Sequence, residues 1–329
     1  MFFEPTNQLN IISEEDFPTE ILEIENELSK YAVNGEVSSY DGTSLAYEYF
    51  TVKNSRGSVV LIHGFTEFYK KLYEMAWYLL NMGYNVFMYD QRGHGHSTRK
   101  VDNLFLTHVD SFDDYQKDLD CIVNKVVIPA APDTPIHIIG HSMGGAVTAL
   151  YLKEHGNKIG RVVLSSPMIA PKTHSIPGPL VRLISAFYAR IYGWKARFNQ
   201  SVQAFNPNPN FRFSADASYA RFKHNMDLRN EDIYYQNANF TNRWIHEAMK
   251  LKKNILNYNF TRKIRNEILI INAEKDHVVH TRPQKLFAKM LPHCKIVTVP
   301  GSKHTIYTGR EDMLKVFYEN VIQFLNEYQ

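Results

Sequence analysis

Six short apolar runs, each bounded by Gly, Pro, Asn or Asp, constrain this chain more than any other feature. They lie at 59–62, 86–89, 136–139, 162–164, 268–271 and 296–299, rich in Val and Ile throughout. Continuous apolar runs of this length read as strands buried on both faces, the situation of strands inside a parallel sheet. Stretches with helical periodicity separate them, at 72–82, 114–127, 145–155, 284–290 and 312–328. Alternation of this kind predicts the α/β class with a doubly wound, mostly parallel sheet. Ahead of it, 35–40 and 44–50 alternate as strands and flank Asp41-Gly42. Both turn residues tolerate positive φ, so an antiparallel hairpin is predicted at the start of the sheet. An N-terminal arm, 1–31, carries one short helical pattern from Ile21 to Leu28.

The rhythm stops between residues 167 and 265, where no run reads as a buried strand. Aromatic residues crowd there, among them Phe187, Tyr188, Tyr192, Trp194, Phe198, Phe211, Phe213, Tyr219, Phe222, Tyr234, Tyr235, Phe240 and Trp244. Sixteen Lys and Arg face five acids in this interval, about eleven units positive, and the rest of the chain is about eight units negative. The expected organisation is therefore a core of 1–166 and 266–329 carrying a helical cap of 167–265.

Gly140-His141-Ser142-Met143-Gly144-Gly145 follows one predicted strand directly and opens a predicted helix. That is the context in which G-x-S-x-G forms a sharp elbow, lifting a serine above the sheet edge. Gly140 and Gly144 remove side chains that the tight turn would crowd. The turn also aims the Met143 N–H and the helix N-terminus at a developing oxyanion.

A serine needs a base, and the base needs an orienting acid. On a strand–elbow–helix scaffold they follow in the order Ser, acid, His, each in a loop at the carboxyl end of a strand. Asp276 follows the run at 268–271, and His304 follows the run at 296–299. Glu274 competes for the acid role, but Asp276 lies further into the loop that has to reach the imidazole. The second oxyanion donor is expected from the loop after 59–62, where Phe65 offers its backbone N–H and His63 and Gly64 shape the turn. Asp90-Gln91-Arg92-Gly93-His94-Gly95-His96-Ser97 matches neither a phosphate loop nor a zinc-ligand spacing, and is expected to be structural.

Taken together, these segments resemble the α/β-hydrolase group of monoacylglycerol lipases and bacterial lysophospholipases. The likeness is closer to the L2-type lysophospholipases, through Thr66-Glu67-Phe68-Tyr69-Lys70 with Tyr73, through 108–115, and through 273–279. It implies an α/β-hydrolase fold with a cap. It also implies a serine carboxylester hydrolase acting on single-chain lipids, with Ser142 as nucleophile, His304 as base and acid, and Asp276 as orienter. The Phe65 and Met143 N–H groups would form the oxyanion hole. Monoacylglycerol lipases of the group carry Gly and then Glu-His after the residue matching Phe65. Here Thr66, Glu67 and Phe68 stand there, which points toward lysophospholipids.

No metal or organic cofactor is implied. A net charge of +3 and the lack of a recognisable motif argue against nucleic acid. The first residues lack the basic and apolar regions of a secretory signal, and no stretch is long and apolar enough to cross a bilayer. The expectation is a cytoplasmic protein that meets an anionic membrane surface from the side. Rival readings keep the triad but change the substrate, to a monoacylglycerol, a short ester, a thioester or a proline-type peptide. One further rival abandons catalysis for ligand binding.

Overall fold

The computed structural model describes residues 1–173, 176–191 and 205–328, so Tyr192, Trp194 and Phe198 lie outside the described residues. Among the described residues ten strands are formed: β1 (Val33–Ser38), β2 (Ser44–Phe50), β3 (Ser58–Ile62), β4 (Asn85–Tyr89), β5 (Leu106–Thr107), β6 (Ile136–His141), β7 (Val162–Ser165), β8 (Asn239–Phe240), β9 (Ile268–Ala273) and β10 (Cys294–Val299). Eight of them make one sheet in the order β1-β2-β4-β3-β6-β7-β9-β10. The β1–β2 and β2–β4 pairs are antiparallel, and every later pair in the sheet is parallel. This is the α/β-hydrolase arrangement expected from the runs and the hairpin, with Gly42 at φ +82° in the turn.

The period of two along a strand divides the core. In β3, Val60 and Ile62 join the buried cluster on one face, and Val59 and Leu61 join the cluster on the other. Each such side chain contributes about 1.5–3 kcal/mol on burial, so a one-residue slip would invert both faces at once. One face is covered by α3 (Phe112–Ile122), α5 (Met143–His155) and α11 (Thr281–Met290). The other is covered by α1 (Phe17–Ser29), α2 (Tyr73–Asn81) and α12 (Glu311–Asn326). In α1, Phe17, Ile21, Ile24 and Leu28 are buried at helical spacing, which seats the N-terminal arm on the core.

Two expectations need correction. β10 is an edge strand in which only Val299 is buried, so its apolar run is not covered on both faces. The pattern predicted at 114–127 is not one regular helix. It widens into a π turn at Val123–Val127 before a last short piece at Ile128–Ala130. Pro129 has no N–H to give, and its ring crowds the carbonyl four residues back, which favours a widened turn.

Between β7 and β9 the chain forms mostly helices, including α6 (Gly178–Ile191), α7 (Tyr219–Glu231), α8 (Asn242–Ala248) and α9 (Leu251–Ile255). Three of the ties between this insertion and the rest show how it is held. β8 pairs with β5, a two-residue ladder too short to show any periodicity in sequence. Arg221 on α7 grips Glu74 on α2 through two bonds, Nε to Oε2 at 2.9 Å and Nη2 to Oε1 at 2.6 Å, and also donates to the Ile12 carbonyl at 3.0 Å. The third tie is apolar: Trp244, Leu251 and Ile255 belong to the same buried cluster as α5.

Candidate active site

β6 runs straight into the elbow. Ser142 holds φ +50° and ψ −112°, a region a serine occupies only when its surroundings enforce it. The enforcement is local. The Ser142 N–H donates to the Ser165 carbonyl at 2.9 Å, and its own carbonyl accepts from Met168 at 2.8 Å and Ala146 at 3.2 Å. A Cβ on Gly144 would stand 2.3 Å from the Ile62 carbonyl oxygen, and one on Gly140 would stand 2.8 Å from the Gly144 oxygen. The turn can close against β3 only with glycine at both positions.

The three side chains singled out from sequence meet in one line. Ser142 Oγ lies 2.9 Å from His304 Nε2, and His304 Nδ1 lies 2.8 Å from Asp276 Oδ2. A carboxylate can only accept, so Nδ1 carries the proton toward Asp276 and Nε2 is left to accept from the serine. The other carboxylate oxygen, Oδ1, accepts the N–H groups of Val278 and Val279, both at 2.9 Å. Burial pushes the Asp276 carboxyl up, but the His304 contact and these two N–H donors outweigh it, and the group titrates below its ordinary range. Glu274, the competing acid, is exposed and accepts instead from the Gly301 N–H at 2.8 Å.

The loop after β3 lies against the elbow, since a Cβ on Gly64 would be 3.2 Å from Ser142 Cβ. Among the described residues, no hydrogen-bond acceptor takes the N–H of Phe65 or of Met143. His63 is fully buried; its Nδ1 donates to the Gly64 carbonyl at 2.7 Å and its Nε2 accepts the Gln91 N–H at 3.0 Å. The glycine-rich loop 90–97 thus braces the turn. Asp90 closes that loop by accepting from Tyr69 and His96, and Arg92 is clamped by Asp118.

A buried cluster beneath the loop carried no role in the sequence reading. Glu67 Oε2 accepts the Gly64 N–H at 2.6 Å, while Oε1 accepts from Lys71 Nζ at 2.8 Å and Tyr307 Oη at 3.0 Å. Lys71 also sits 3.5 Å from Asp216 in the insertion. Burial opposes ionisation of Glu67, but Lys71 beside it holds the carboxyl well below the usual range. The available signal was the four-residue Glu67–Lys71 spacing, which reads equally well as an exposed surface pair. His141, next to Ser142, is buried and its pKa is pushed down to about 4, mainly by desolvation, so it is neutral at physiological pH.

These groups open into a cavity of about 1410 Å³. Met168, Val181, Ile184, Phe213, Phe240 and Trp244 supply much of its apolar wall. The Phe65 ring packs at a tilt of 33° against Trp244 with centroids 4.4 Å apart, and Phe68 stacks on Tyr235 at 3.9 Å. Several of the insertion's aromatics therefore face the site, while Phe187 and Tyr219 are exposed.

A family model described as Hydrolase_4, "Serine aminopeptidase, S33", matches residues 53–311. The chain belongs to this family. As a Hydrolase_4 protein it is a serine hydrolase. A probable lysophospholipase L2 of Haemophilus influenzae is 25% identical to it over 289 residues, covering 86% of this chain and 88% of that protein. A monoglyceride lipase of Saccharomyces cerevisiae is 26% identical over 312 residues, covering 89% and 93%. Among solved structures, a soluble variant of monoglyceride lipase from Saccharomyces cerevisiae with a substrate analog superposes with a TM-score of 0.73 at 21% identity, over 90% of this chain and 96% of that one. At that identity the last likeness speaks for the Hydrolase_4 fold alone. No helix among the described residues is long and apolar enough to cross a membrane.

Proposed function

We propose that this protein hydrolyses carboxylic esters of single-chain lipids through an acyl-enzyme, with lysophospholipids as its substrates. The observation that carries the reading is the unbroken Ser142–His304–Asp276 line at the floor of a large, mostly apolar cavity. Ser142 Oγ attacks the ester carbonyl carbon while His304 Nε2 takes its proton, and Asp276 steadies the imidazolium that results. The negative charge that develops on the carbonyl oxygen is met by the N–H groups of Phe65 and Met143. The C–O bond to the glycerol oxygen then breaks, and the alcohol leaves with the proton from His304. Water, deprotonated by the same imidazole, cleaves the acyl-serine and releases the fatty acid.

Residues 167–265 act in this reading as a cap whose apolar wall takes the acyl chain, each buried CH₂ contributing about 0.8 kcal/mol. The same cap meets the lipid surface. Leu180, Leu183, Phe187 and Ile191 form an exposed stripe on α6, beside Val181 and Ile184 of the cavity wall, and Arg182 and Arg190 lie on the same helix. The names of the relatives in Haemophilus influenzae and Saccharomyces cerevisiae support a lipid ester, and the second of them favours a neutral monoacylglycerol as the alternative.

Fatty-acid release from lysophospholipids, monoacylglycerols and p-nitrophenyl esters matched in acyl length tests the proposal. Long-chain lysophospholipids should give the highest kcat/KM. A preference for acetyl or butyryl esters would reject it.

A further inference from the structure

The charges around the cavity are unevenly matched. Two carboxylates line it, Glu67 and Asp216, and both lie within 3.5 Å of Lys71. Five further cations line the same cavity: Lys172, Arg212, Arg229, Lys275 and Lys303. Among the described residues none of the five pairs with a carboxylate. Arg229 donates to the carbonyls of Tyr235 and Asn237, and two others are held by backbone carbonyls close to Ser142, His304 and Asp276. Lys172 Nζ donates to the carbonyl of Asp276 at 2.6 Å, and Lys303 Nζ donates to that of Ser214 at 3.2 Å while lying 4.9 Å from the Phe211 ring centroid. Lys275 and Lys303 are the immediate neighbours of Asp276 and His304, and Arg212 is two residues from Ser214. A carbonyl positions an ammonium group without cancelling its charge. At the mouth of an apolar cavity, where field lines are focused, such charges attract an anion strongly.

We propose that Arg212, Lys275 and Lys303 receive the phosphate of the substrate's head group, and so make the site selective for phosphate-bearing single-chain lipids over neutral monoacylglycerols. The proposal rests on the ester-hydrolase reading of Ser142, His304 and Asp276. In a lysophospholipid the phosphate follows the ester oxygen by a few bonds, so a head group leaving Ser142 passes the loops that carry Lys275 and Lys303. Charge-assisted bonds from Arg and Lys to phosphate oxygens are about twice as strong as neutral ones. A monoacylglycerol has only hydroxyl groups to offer there.

The test compares decanoyl lysophosphatidylglycerol, decanoyl lysophosphatidylcholine and monodecanoylglycerol, all below their critical micelle concentrations, on the full chain. The wild-type protein should prefer both phosphate-bearing esters. In the triple variant Arg212→Gln, Lys275→Gln, Lys303→Gln, the ratio of kcat/KM for phosphate-bearing over neutral ester should fall about tenfold or more, chiefly through KM. Lys303→Arg should retain much of the preference that Lys303→Gln loses. Fluorophosphonate labelling of Ser142 verifies that the triple variant keeps its site; should it fail to label, Arg212→Gln alone, at an exposed position, carries the comparison. An unchanged ratio overturns the inference and leaves the hydrolase reading standing. So does a loss seen only above the micelle threshold, which would assign these cations to a lipid surface. A wild-type protein that cleaves none of the three esters overturns both.

Discussion

Glu67→Gln isolates the buried cluster under the loop that carries Phe65. The carboxylate satisfies three donors at once, from Gly64, Lys71 and Tyr307. A glutamine in the same place has one carbonyl oxygen and one NH₂ group. If the oxygen faces Gly64, the NH₂ meets the Lys71 ammonium and the Tyr307 hydroxyl; if it is flipped, the NH₂ meets the Gly64 N–H. Either way a buried donor faces a donor, at about 1–3 kcal/mol. Among the described residues Lys71 then keeps one carboxylate partner, Asp216, at 3.5 Å. Removing one member of a buried ion pair costs about 3–5 kcal/mol when nothing compensates, and Asp216 offsets part of that. The expected loss of stability is thus about 3–4 kcal/mol, read as a lower urea midpoint at unchanged slope. Because the misfit falls on Gly64, one residue before Phe65, the proposed oxyanion donor, kcat on a p-nitrophenyl ester should drop by about 10- to 100-fold. Adding Lys71→Met removes the stranded charge and should recover stability while leaving kcat low. A Glu67→Gln protein within about 1 kcal/mol of wild type and with full kcat would refute the reasoning, since the carboxylate would then neither hold the loop nor balance Lys71.

Gly144→Ala should fail to yield folded, active protein, because its Cβ would stand 2.3 Å from the Ile62 carbonyl oxygen; soluble expression and a cooperative urea transition check this. Acid should destabilise the fold through buried histidines. Burial, with the Arg161 charge, holds His137 at about 4, and the unfolded chain titrates near 6.5. Between those values the unfolded state binds the extra proton, so stability rises with pH across the window and is lost on acidification through it. His141, also held at about 4, acts in the same sense. Between about pH 7.5 and about pH 5 each should remove about 2 kcal/mol, and His137→Asn should flatten the slope of urea midpoint against pH.

The sheet, the hairpin, the elbow and the Ser142–His304–Asp276 line were legible because each rests on local rules. Apolar runs at 59–62 and 268–271 can be satisfied only inside a sheet, and Asp41-Gly42 closes a hairpin by its own backbone preferences. Gly140 and Gly144 declare the elbow through what they lack. β10 misled because an Ile-Val-Thr-Val run carries the same composition at an edge as in the centre, and only its neighbours decide. Glu67 and Arg221 were out of reach for a related reason. A charged residue is read as exposed unless its partner is known, and Arg221 finds Glu74 from 147 residues away. The β5–β8 ladder, two residues on each side, has no period to detect.

Intact-protein mass spectrometry after exposure to a fluorophosphonate tests most directly whether Ser142 is an activated nucleophile. One adduct per chain is expected, mapped to Ser142, absent from Ser142→Ala, and slowed by about a thousandfold or more in a folded His304→Ala variant. An adduct that persists in Ser142→Ala, or a folded wild-type protein that takes up none, would contradict it.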